Sequence, residues 1–114
     1  MLVDTMIYES GTLSVRCSGT FGIGSLGNPS GDLLRESIRH WMTDYPATVV
    51  TRIQVDLTIV EYIWGDGPVS SIMPLFRSGI REVQVLAGPQ NADALEELIQ
   101  ACRIPGFIIK RLDA

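Results

Sequence analysis

The sequence predicts one small α/β domain: a mixed, mainly parallel sheet with covering helices and an N-terminal hairpin. Three observations carry this reading. From Leu33 onward, β-branched runs alternate with amphipathic helical segments, as in successive βαβ crossovers. At the start, two strand-like runs are separated only by Ser10-Gly11, a hairpin signal. The chain has 114 residues, 46% of them hydrophobic, enough for one core without disulfides or metal and too few for a second.

The elements follow in order. Met1–Glu9 and Thr12–Ser18 are the hairpin strands, and a glycine-rich loop runs from Gly19 to Gly31. A helix is expected from Gly31 to Asp44, because Leu34, Ile38, Trp41, Met42 and Tyr45 recur on one helical face. Ser30 or Asp32 can cap its start, and Pro46 ends it. Arg52–Leu57, continuing into Ile59-Val60, is β-branched and reads as the central strand. Across Gly67–Gly79, Val69, Ile72, Met73 and Phe76 have helical spacing, but Pro74 predicts a short or kinked helix. Arg81–Ala87 is a further strand. In the helix Asn91–Arg103, Leu95, Leu98, Ile99 and Cys102 form the inner stripe, and Phe107–Leu112 is the last strand.

Composition excludes several classes of function. The net charge is −4, and Lys110-Arg111 is the only basic pair, so no stripe exists to track phosphates and nucleic acid is not expected as a partner. No segment approaches the roughly 20 apolar residues of a membrane span, and Met1-Leu2-Val3-Asp4 does not begin a secretory signal. Cys17 and Cys102 are expected to be small buried hydrophobes. With His40 as the single histidine and no Cys/His cluster, no metal site is expected. A cytoplasmic location fits this pattern.

Gly22-Ile23-Gly24-Ser25-Leu26-Gly27 matches the dinucleotide-binding GxGxxG pattern and follows a strand. That mechanism needs the glycines to open a helix directly, so that the helix N-terminus meets the pyrophosphate. Here Asn28-Pro29-Ser30-Gly31 is expected to intervene, and no acidic residue tips a strand about 20 positions on. A surface loop is the first reading, with a nucleotide or small-ligand site at Gly22–Gly27 as the alternative. Asp56 closes the central strand and Asp66 lies ten positions later, so they form no acid–base pair. His40, beside Trp41 in mid-helix, reads as a half-exposed helix residue. The parts of an active site are missing, and neither catalysis nor a cofactor is expected.

The most informative stretch is Glu61-Tyr62-Ile63-Trp64-Gly65-Asp66-Gly67-Pro68, at the carboxyl edge of the sheet, where α/β folds place binding surfaces. Asp66 is suited to cap the next helix and Pro68 to sit in its first turn. Trp64 either folds back on the core or, as a large aromatic in a turn, anchors a partner. The expected partner-binding residues are Trp64, Gly65, Asp66, Gly67 and Pro68.

The order of elements and the segment Ile53–Ala87 resemble the STAS family, which includes anti-sigma-factor antagonists, stressosome proteins and the cytoplasmic tails of sulfate transporters. Val55-Asp56-Leu57 is similar to the family's strand end, Val60-Glu61-Tyr62-Ile63 to its approach to the loop, and Gly67 to its loop glycine. Arg77-Ser78-Gly79, followed by Val83-Gln84-Val85-Leu86-Ala87-Gly88, is similar to the next crossover, and Ala94–Phe107 to the last helix and strand entry.

The resemblance implies a regulatory, protein-binding module whose partner is an anti-sigma serine kinase or a stressosome-like assembly. In the antagonists a serine just before the loop glycine is phosphorylated, which switches binding off. The matching position here is Asp66, whose carboxylate partly mimics phosphoserine, so the implied switch is locked or independent of phosphorylation. Ser70 and Ser71 remain as alternative phosphosites, but they fall inside the predicted helix, where ordinary helix positions are the first reading. A third reading is a self-associating subunit, such as a homodimer joined through the uncapped last strand.

Overall fold

The structure, a computed structural model, describes residues 1–22, 28–63, 65, 67–70 and 72–112, and only the backbone of 28, 77 and 78. Five strands form one mixed sheet in the order β1-β2-β3-β4-β5: β1 Leu2–Glu9, β2 Thr12–Ser18, β3 Arg52–Asp56, β4 Glu82–Ala87 and β5 Phe107–Arg111. The β1–β2 hairpin is antiparallel, and β2 through β5 run parallel with β3 in the middle. Three helices accompany it: α1 Asn28–Asp44, α2 Gly67–Ser70 and α3 Ala92–Cys102.

Each crossover steps the same way along the sheet, so right-handed connections place all the helices on one face. The burial pattern agrees. Two cross-strand rows, Leu13–Ile53–Val83–Phe107 and Val15–Val55–Val85–Ile109, make the sheet side of the core. Leu34 and Ile38 of α1, Val69 of α2, and Ala92, Leu95 and Ile99 of α3 close over them. The rows on the other face, Ser14–Gln54–Gln84–Ile108 and Arg16–Asp56–Leu86–Lys110, are mostly polar, so the helices cover one side only.

Three sequence expectations need correction. α1 starts at Asn28, three residues before the expected Gly31. Pro29 causes the difference: its fixed φ and missing N–H suit a first helical turn, where no intrahelical donor is needed. Ser30 and Asp32 therefore lie inside the helix rather than capping it, and Asp32 accepts a hydrogen bond from Arg35 at 2.9 Å. Second, Cys102 is exposed, because it is the last residue of α3, one turn beyond Ile99. Third, Leu98 is only half-buried, at the margin of the core. The predicted break in Gly67–Gly79 is present, since α2 gives way to a 3-10 helix at Met73–Ser78 with Pro74 in its first turn. His40 is more exposed than expected, 3.4 Å from Asp44.

Aromatic packing fastens the hairpin to α1. Tyr8 stacks on Trp41 with centroids 5.7 Å apart, Trp41 meets Tyr45 at 4.7 Å, and the Tyr8 hydroxyl donates to the Val49 carbonyl at 2.8 Å. Cys17 is buried under β1. Burial, reinforced by the carboxylates of Asp4 and Asp56, pushes its thiol from 9.0 up to about 12.

Two outcomes follow from this packing. Leu95→Ala should cost about 2–5 kcal/mol in denaturant unfolding, and Leu98→Ala less than half as much, because only Leu95 is fully enclosed. A neutral thiol reagent at pH 8 should label Cys102 in the native protein and reach Cys17 only on unfolding. The folded protein holds the Cys17 proton more tightly than the unfolded chain does. That contribution to stability is intact below about pH 9 and is lost as pH rises toward 12, a loss that Cys17→Ala should lack.

Candidate functional site

The carboxyl ends of the parallel strands are tied together by side chains that their sequence places at strand exits. At the end of β3, Asp56 Oδ1 accepts hydrogen bonds from the Thr58 amide at 2.9 Å and the Thr58 hydroxyl at 2.6 Å, an Asx turn that bends the chain off the sheet. Asn91, just before α3, is the buried polar residue beneath this turn. Its Nδ2 donates to the carbonyls of Leu57 at 2.8 Å and Val60 at 2.7 Å, and its Oδ1 accepts from the Gly88 amide at 2.9 Å. One side chain thus joins the β3 exit to the β4 exit. Gly88 allows this approach, since a Cβ there would stand 2.2 Å from the Thr58 carbonyl oxygen.

The β2 and β3 exits are also joined. The Phe21 amide donates to the Glu61 carbonyl at 2.8 Å and the Glu61 amide to Gly19 at 2.9 Å, a short parallel bridge beyond the sheet proper. Tyr62 is buried edge-on against Phe21, 6.1 Å between centroids, and its hydroxyl donates to the Gly65 carbonyl, curling the turn over itself.

On this base sits a groove of about 330 Å³ between the turn and the flank of α3. Among the described residues it is lined by Tyr62, Ile63, Gly65, Ala94, Glu97, Leu98 and Ala101. Ala94, Leu98 and Ala101 are spaced four and three residues apart, so they form one stripe along the helix beside its core stripe. Ile63 is 55% exposed and forms the opposite wall.

Of the residues expected to bind a partner, Trp64 and Asp66 lie outside the described residues. Gly65 lines the groove, half-buried. Gly67 and Pro68 are corrected: both are buried at the start of α2, where they position the turn without presenting a surface. Ser70 is exposed, its hydroxyl 3.5 Å from the Gly67 carbonyl, and Ser71 lies outside the described residues. Beyond Gly22, the glycine-rich segment up to Asn28 is likewise outside them. Among the described residues, no three His, Cys, Asp or Glu side chains converge as metal ligands, and no helix is long and apolar enough to cross a membrane.

Sequence reasoning did not single out the helix flank or Asn91. The Ala94–Leu98–Ala101 spacing was the available signal, a second apolar stripe on a helix that needs only one for the core. Compared with protein-family models, with curated proteins and with solved structures, the chain finds no match in any of the three.

Asn91→Ala removes the side-chain partner of the Val60 carbonyl and the Gly88 amide, and leaves the Leu57 carbonyl with the Val60 amide alone. It should cost at least about 2 kcal/mol in denaturant unfolding, more than an exposed helix-cap change would. Hydrogen exchange should also show the Gly88 amide losing protection well before the β3 and β4 core.

Proposed function

We propose that this chain is a protein-binding regulatory module of STAS-like type, which docks its partner in the groove between the Tyr62–Gly65 turn and α3. The observation that carries the reading is the second apolar stripe of α3, left open beside an exposed Ile63. A helix flank with Leu98 between two alanines offers a partner apolar contact at close range, and such contacts dominate interface energetics. The motif order Val55-Asp56-Leu57, Gly67 and Gly79 supports the family reading. On that reading Asp66 stands where the antagonists carry their phosphoserine, and the module works without a phosphorylation switch.

Affinity capture with quantitative mass spectrometry tests the docking site. Ile63→Asp and Ala101→Tyr change exposed side chains, so both should fold normally while soiling or filling the groove. Partners retained by the wild-type chain should fall at least about tenfold with either variant, equivalent to about 1.4 kcal/mol. They should persist with His40→Ala on the outer face of α1. Equal retention by all four proteins would remove the groove as the docking site. Asp66→Ser tests the switch separately: a cognate serine kinase should phosphorylate the variant and not the wild type.

A second reading is favoured by one observation. α1 begins at Asn28, directly after Gly27, and its first turn holds no acidic residue, so the helix onset no longer argues against a phosphate at the Gly22–Gly27 loop. Calorimetric titration with ATP, GTP and NAD decides it, with binding tighter than about 100 μM, roughly 5.5 kcal/mol, as the supporting result.

A further inference from the structure

We infer that the segment seated in this groove is a basic amphipathic helix, an inference that rests on the docking reading above and adds the partner's chemistry to it. The shape argues for a helix. Ala94, Leu98 and Ala101 cover two turns of α3, about 10 Å at 1.5 Å per residue, and run as a straight apolar stripe. The alanines on either side of Leu98 are small enough to let a second helix backbone come close, and Ile63 closes one side against a partner's apolar residue. A partner helix would answer with apolar residues at the same i, i+4, i+7 spacing.

The charge argues for a basic one. Glu97 is the only charged residue among those described in the lining, and it stands exposed at the rim. Its neighbours on α3 share one cation: Arg111 lies 2.8 Å from Asp93 and 3.2 Å from Glu96, so the group keeps a net negative charge. Glu97 makes no such pair among the described residues, and no lysine or arginine lines the groove. The chain as a whole carries −4, so the wider field has the same sign as the rim. A lysine or arginine on the partner, one turn from its apolar anchors, pairs with this charge of the described lining. An exposed pair of this kind contributes a factor of about two to five in affinity and weakens with salt.

The test uses a display library of helical peptides about 16 residues long, with apolar anchors fixed at i, i+4 and i+7 and the flanking positions randomised. Selection on the wild-type chain should enrich Lys and Arg beside the anchors. Selection on Glu97→Lys should enrich Asp and Glu there instead. Glu36→Lys, on α1, makes the same change in net charge away from the groove and should leave the wild-type preference in place. The best wild-type peptide should bind Glu97→Lys two- to fivefold more weakly at low salt, and the difference should shrink at high salt. Peptides that bind in the groove with no charge preference, or with the same preference on Glu97→Lys, overturn the basic-helix inference and leave the docking reading standing. Failure to enrich any peptide, or binders indifferent to Ile63→Asp and Ala101→Tyr, overturns both.

Discussion

The carboxyl edge of the sheet depends on one buried amide. Asn91 spends both of its donors on carbonyls of the β3 exit and its oxygen on the amide of Gly88. An uncompensated amide at that depth would cost several kcal/mol, and here every bond that it makes is to backbone. Backbone partners fix position more tightly than side-chain partners would, because they belong to the frame itself. Gly88 is part of the same constraint: any side chain there would collide with the Thr58 carbonyl and force the two exits apart. The residue that looks in sequence like a helix cap is thus the pin between two crossovers, and α3 starts without a side-chain cap bond from it.

The single-sided helix layer explains why the groove lies where it does. Crossovers that all step in one direction leave three helices to cover five strands, and α2 spans only four residues. It packs against both α1 and α3, yet it is too short to cover the flank of α3 along its length. The uncovered part is the Ala94–Leu98–Ala101 stripe. Ala92, Leu95 and Ile99 are the buried residues of α3, while Ala94 and Leu98 pack against the core with one side and leave the other open. The opposite face of the sheet mixes apolar side chains, Ile7, Leu86 and Ile108, with polar ones. There Ser14 bonds Gln54 and Arg52 bonds Glu82, so polar side chains satisfy one another across the strands.

The strands, their order of appearance and the break before Pro74 were legible because they rest on local chemistry: β-branched runs, Ser10-Gly11 and a missing proline donor. What was not legible rests on where the core ends. Leu98 and Cys102 sit close to Leu95 on a helical wheel, but a wheel has no length and cannot show that cover stops near Ile99. Asn28-Pro29-Ser30-Gly31 reads as a segment ahead of the helix, yet a proline in a first turn fits the helix start. Asn91 could not be read at all, because two of its three partners come from the β3 exit, 31 and 34 positions away, and the third from the neighbouring turn. Nor could the burial of Gly67 and Pro68 at the start of α2 be read from the turn's sequence.

Rigidity under the turn bears directly on how it can bind. A docking surface that must be ordered on binding loses affinity to that ordering, about 0.5–1.5 kcal/mol for each side chain immobilised. For the docking proposed above, the described residues on either side supply part of that ordering in the folded chain. Tyr62 is wedged against Phe21, the backbone of Glu61 is bridged to Gly19, and the exit below is pinned by Asn91. Ile63 therefore projects from a turn whose two neighbouring anchors are fixed, opposite a helix flank that is fixed as well. Changes in Asn91 or Gly88 would accordingly reach the groove through its geometry, although neither residue lines it.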